Sequence, residues 1–170
     1  MAKKILTVRD VTLFGVLAAL TFGAKVAMSY LPNIEPVTLF LLVFGAVFGW
    51  KSLFIVYVYV LAEILFYGIG TWNINYLYIW VIPALAGWLL RRWKNPVIWA
   101  VIAGLFGLLF GLLCAPVDLF IGGLEFAVSK WISGIPFDAL HCGGNFVMAL
   151  LLFAPLRKLT QRLCIQVPRH

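Results

Sequence analysis

Eleven of the thirteen basic residues of this chain fall at four sites that separate long apolar runs. The sites are Lys3, Lys4 and Arg9; Lys51; Arg91, Arg92 and Lys94; and Arg157, Lys158, Arg162 and Arg169, so that only Lys25 and Lys130 lie elsewhere. Lysine and arginine are retained on the cytoplasmic side of a bilayer. Four sites on one side therefore require an even number of crossings between each and the next. Three helical pairs satisfy that condition, giving six spans with the N- and C-termini cytoplasmic. Composition agrees, because 64% of the 170 residues are hydrophobic and 11% charged, against about 45–50% and about 25% in globular proteins. A water-soluble fold is excluded, and six spans of about 20 residues leave room only for short loops. The expectation is an all-α integral membrane protein, a single transmembrane domain over residues 1–170, multi-pass in a prokaryotic-type plasma membrane. The net charge of +7 is read as topology and not as a nucleic-acid footprint.

The predicted spans are 11–31, 37–49, 52–68, 76–90, a Gly-rich fifth from Pro96 to about Pro116, and 137–156. The Lys3-Lys4 lead-in resembles a secretory signal, but the apolar run after Arg9-Asp10 continues to Leu31 and more spans follow, so it reads as a retained first helix. Prolines 32 and 36 bracket an ordered outer loop. Residues 117–136 carry Asp118, Glu125 and Lys130, which predicts a broken or surface-lying helix outside and not a seventh span.

The outer half concentrates hydrogen-bonding groups beside aromatic rings. Asn33 and Glu35 occupy the first outer loop; Trp72, Asn73, Asn75 and Tyr76 surround the second; Asp138, His141 and Asn145 share one face of the last span at i, i+3 and i+7. Such a mixture suits a small organic ligand, whose orientation is set by a few polar groups and whose contact area comes from apolar walls. Tyr57, Tyr59, Trp88, Trp93 and Trp99 read instead as an interfacial belt. Glu63, within the third span, needs a partner, and Lys25 is the candidate.

Several chemistries are excluded. The three cysteines, Cys114, Cys142 and Cys164, are odd in number and lack CxxC spacing, so neither a disulfide framework nor a metal site is indicated. Asp138 and His141 could act as acid and base, but Ser133-Gly134 lacks the nucleophile-elbow glycine and no HExxH occurs. Gly45 to Ser52 fails as a phosphate loop because Trp50 precedes Lys51. No catalytic residue and no cofactor is expected. Gly15, Ala19, Gly23 and Ala27 place a small residue at every fourth position of the first span, a ridge that admits a second helix closely. That helix is either another of this chain's own or a partner's.

With these features the chain resembles the S components, the substrate-binding subunits of energy-coupling factor transporters for vitamins. The resemblance rests on the ridge Gly15/Ala19/Gly23/Ala27, the loop Pro32-Asn33-Ile34-Glu35-Pro36-Val37, the loop Trp72-Asn73-Ile74-Asn75-Tyr76, and the segment from Asp138 to Phe146. It implies a protein that binds a water-soluble vitamin outside and docks through its first span on a transmembrane coupling subunit (T component). Two cytoplasmic ATPase subunits complete the complex, and the S component topples in the membrane to deliver its ligand inward. Asn33 and Glu35 would belong to a lid, with Trp72, Asn73, Asn75, Tyr76, Asp138, His141 and Asn145 in the pocket. The aromatic outer face ranks cobalamin first, then pyridoxine or hydroxymethylpyrimidine. The rival readings are a self-sufficient small-solute carrier, a scaffold membrane protein without a ligand, and an intramembrane enzyme using Asp138 and His141.

Overall fold

The computed structural model describes residues 6–166; Lys3, Lys4 and Arg169 of the basic sites lie outside the described residues. A chain this apolar has to satisfy its backbone groups internally, and helices do so within one segment. The described residues form α1 (Val8–Ala27), α2 (Val37–Phe48), a 3-10 turn (Gly49–Lys51), α3 (Ser52–Tyr67), α4 (Trp72–Ile79), α5 (Val81–Leu89), α6 (Pro96–Leu108) and α7 (Phe110–Gln166), with no strand among them. Three helical stretches are long and apolar enough to cross a membrane: Val8–Ala27, Val37–Tyr67 and Pro96–Leu163. The second contains the 3-10 turn and the third the kink at Gly123. A membrane protein is the class these helices fit.

The boundaries follow from local chemistry. Thr7 and Asp10 form a reciprocal capping box at the start of α1, each side chain bonding the other's backbone N–H at 3.1 Å, which satisfies two donors that lack intrahelical partners. Asn95 caps α6, where Pro96 occupies the first turn. Gly49 (φ 64°) and Gly68 (φ 83°) end α2 and α3 in conformations that suit glycine.

Helix directions can be read from the contacts. Lys51 meets Asp10 at one end of α1 and α3, while Lys25 meets Glu63 at the other, so the two run parallel. Between them in sequence, α2 returns the opposite way and lies beside α5 at backbone distance. A Cβ on Gly45 would stand 2.0 Å from the Ala84 carbonyl oxygen, and one on Gly87 2.2 Å from that of Leu42. The rest of the chain is one long hairpin. Gly123 (φ 78°, ψ −177°) breaks α7, and the arm 124–166 runs back along 110–122 and α6. Gly107 abuts His141, Gly111 abuts Asp138, and Lys130 reaches Asp118 at 2.5 Å. At the far end Arg157 donates to the carbonyls of Trp93 and Arg91, at 3.0 and 2.5 Å. One end of the bundle is thus basic, while the other holds Glu35, Glu63, Asp118 and Asp138.

Of the two alternatives for residues 117–136, the broken helix is the one present: the break falls at Gly123, and Pro116 and Pro136 lie inside helix. Two other expectations need correction. The fourth helical stretch starts at Trp72, four residues before the predicted Tyr76, because the Asn73 side chain accepts from the Gly70 N–H at 2.6 Å and holds the first turn. Tyr59 and Trp99 are not belt residues but fully buried. Trp99 stacks on Phe153 with ring centroids 4.2 Å apart, and Tyr59 meets Trp80 edge-on at 6.0 Å. Tyr57 and Trp93 are exposed, as a belt requires.

The two glycine contacts can be tested against the ridge. Gly45→Ala and Gly87→Ala each push a methyl group into backbone, where overpacking costs about 1–3 kcal/mol or more. Gly15 and Gly23 have nothing within 4 Å of an added Cβ, so alanine there is tolerated. Thermal unfolding of the four variants in detergent should show lowered midpoints for the first pair only.

Candidate ligand-binding site

Two cavities open at the acidic end and share Asn33, Tyr76 and Phe110. The first, about 320 Å³, is walled by Lys25, Ser29, Asn33, Glu35, Tyr76, Phe110 and His141 among others. The second, about 420 Å³, adds Trp72, Asn75, Gly111, Cys114, Asp118, Lys130, Trp131 and Asp138. Four parts of the chain therefore converge: the end of α1, the 28–36 connection, α4, and both arms of the hairpin. A third cavity, about 370 Å³, lies between the hairpin arms against Leu112, Pro116, Leu119, Leu124, Val128 and Trp131. Its walls have no polar side chain that could orient a ligand, apart from the indole of Trp131.

Of the predicted pocket residues, Asn33, Glu35, Trp72, Asn75, Tyr76, Asp138 and His141 line the two adjacent cavities. Asn73 and Asn145 do not. Asn73 serves the turn at Gly70, and Asn145, 1% exposed, donates from Nδ2 to Thr38 Oγ1 at 3.1 Å. This bond ties α7 to α2 inside the core. Lys25, Phe110, Gly111 and Cys114 line the site without having been expected there. Lys25 alone carried a signal, a lysine six residues before the end of the predicted first span.

Local geometry fixes several of these groups. Trp72, Tyr76 and Trp80 follow one another at four-residue spacing, edge to face with centroids 5.0 and 5.4 Å apart, so the site's aromatic wall continues into the core. Both carboxylate oxygens of Asp138 lie 3.1 Å from the Gly111 N–H, which is unpaired at the first turn of α7; the carboxylate acts as a cap across the hairpin. The Tyr78 hydroxyl bonds the Leu113 carbonyl at 2.6 Å and lies 2.9 Å from Asn75 Oδ1. His141 is 2% exposed and packs against Phe110 with centroids 5.1 Å apart. Its Nε2 has no protein partner.

The electrostatic centre is Lys25. Its Nζ lies 2.9 Å from Glu63 Oε2 and 3.8 Å from Glu35 Oε2, so the expected pair with Glu63 is present and a second carboxylate joins it. The ammonium also faces the rings of Tyr76 and Tyr67, at 5.2 and 5.8 Å from their centroids. Glu35 stands in the connection outside the helices. Burial pushes its carboxyl above the ordinary range, Lys25 opposes the rise and Glu63 adds to it.

The small residues of α1 lie on another face. Ala19, Gly23 and Ala27 are exposed and Gly15 is half-buried, whereas Ala18 is in the core. The ridge is thus not used to pack α1 against this chain's other described helices. No protein family, no curated protein and no solved structure matches the chain.

Two predictions follow from the charge cluster. Lys25→Met leaves Glu63 buried without its cation and should cost about 3–5 kcal/mol in unfolding free energy; Lys25→Met with Glu63→Gln should recover most of that loss. Glu35 holds its proton, when folded, to a pH at which the unfolded chain has released it. Its contribution to stability is therefore full below the ordinary value of 4.5 and declines as pH rises toward the folded value. A plot of thermal midpoint against pH should be flatter over that window for Glu35→Gln.

Proposed function

We propose that this protein is the vitamin-binding S component of an energy-coupling factor importer, with six spans and both termini cytoplasmic. The observation that carries the reading is the pair of adjacent, polar and aromatic cavities at the end of the bundle opposite the basic residues. The positive-inside rule assigns that end to the outside, where an importer meets its substrate. The uncovered ridge on α1 supplies a face on which a coupling subunit's helices can pack closely. The stretch from Gly45 to Ser52 departs from a phosphate loop at Trp50, and on this reading ATP is hydrolysed by partner subunits.

Cavities of about 320 and 420 Å³ lie within the range of small-ligand sites. They suit a single-ring vitamin of the pyridoxine or hydroxymethylpyrimidine kind. A corrinoid such as cobalamin requires the two lobes to merge and widen.

The test is thermal unfolding of the purified protein with each water-soluble vitamin. A ligand held only by the folded state stabilises it by RT ln(1 + [L]/Kd), about 2.7 kcal/mol at 100 times Kd. One vitamin should raise the midpoint, and Asn75→Ala or Tyr76→Ala should remove the rise. Gly23→Trp should leave vitamin binding intact and block assembly with the coupling subunit in a pull-down. A folded protein that responds to no vitamin would overturn the proposal in favour of a scaffold or a self-sufficient carrier.

A further inference from the structure

We infer that the site selects a positively charged ligand, a small ring compound bearing a protonated nitrogen, and that Glu35 is the group that receives it. This rests on the ligand-binding reading above. Four carboxylates stand around the two cavities, Glu35, Glu63, Asp118 and Asp138, against two ammonium groups, Lys25 and Lys130. With all six groups ionised the local balance is −2, in a chain whose overall charge is +7.

Three of the four carboxylates have close partners. Asp118 holds Lys130 at 2.5 Å, Glu63 holds Lys25 at 2.9 Å, and Asp138 accepts from the Gly111 N–H. Glu35 is left with Lys25 at 3.8 Å, an ammonium already engaged, while its own side chain lines the cavity. Behind it Glu63, 1% exposed, keeps Oε1 outside the pair with Lys25, with the Tyr59 hydroxyl as its neighbour. The deficit is thus one of positive charge, and it lies in half-buried and buried surroundings where water screens it less than at the surface.

The wall chemistry points the same way. Tyr76 already faces one cation, Lys25, and Trp72 stands edge-on beside it, so an incoming cation meets ring faces and a carboxylate together. The His141 ring also stands in the cavity wall, its buried Nε2 without a protein partner. An anion would instead approach a carboxylate whose nearest counter-charge is shared.

Isothermal titration of the whole protein in detergent at pH 7 separates the possibilities. The probes are pyridoxamine as a cation with a protonated nitrogen, thiamine as a quaternary cation whose charged nitrogen has no N–H, pyridoxine and hydroxymethylpyrimidine as uncharged rings, and biotin, nicotinate and pantothenate as anions. A cation should bind most tightly, Glu35→Gln should weaken it about tenfold or more, the difference a charge-assisted hydrogen bond makes, and Glu35→Asp should retain most of the affinity. A neutral or anionic probe as the tightest binder overturns this inference and leaves the vitamin-binding reading standing. Equal binding of the cation by folded Glu35→Gln also overturns it. Silence from all seven probes, with thermal unfolding confirming a folded protein, removes both.

Discussion

A single ammonium answers two carboxylates at the acidic end of this protein, and much of the architecture can be understood from that shortage. Lys25 comes from α1, Glu63 from α3 and Glu35 from the connection that follows α1. Each lies where water is scarce, and a carboxylate there must be paired or protonated. Meeting that requirement brings the end of α1 against the end of α3 and draws the 28–36 connection over both. The cavity is the space left beside this cluster, closed on its other sides by α4 and the hairpin.

The remaining polar side chains of the interior are used by the same rule. Asp138 caps the first turn of α7 across the hairpin, Asn145 bonds Thr38 between α7 and α2, and Asn73 secures the turn before α4. These groups determine which helix ends meet. The apolar contacts, which are far more numerous, fill the space between them and contribute most of the buried area. A division of labour results, in which hydrophobic packing supplies cohesion and a few polar bonds choose the arrangement.

The sequence made the helical class and several turns legible because basic residues and glycines mark them. The predicted 37–49 and 52–68 differ from α2 and α3 by one residue each, and the Lys25–Glu63 pair was foreseeable from the cost of leaving Glu63 alone. The hairpin was less legible. Asp118, Glu125 and Lys130 read as solvent markers, but two of them cancel one another across the arms, and pairing at twelve residues' separation leaves no periodic trace. Tyr59 and Trp99 were misplaced for a related reason: an aromatic ring in an apolar run suits a belt and a core equally, and only the facing helix decides. Asn73 and Asn145 show that an amide near a cavity can serve a turn or a helix-to-helix bond instead of lining it. Phe110 and Gly111 carried no polar signal at all, since what qualifies them is their position at the start of α7.

The reciprocal contact of Gly45 and Gly87 has a mechanical consequence. Each glycine faces a carbonyl of the opposite helix at a distance that leaves no room for even a methyl group, so α2 and α5 interlock like meshed teeth and cannot slide past one another without first separating. The pair forms the stiff spine of the molecule. Any widening of the cavity mouth must come from parts not so engaged: the proline-bracketed connection at 28–36, and the hairpin arms, which meet at the single glycine pivot.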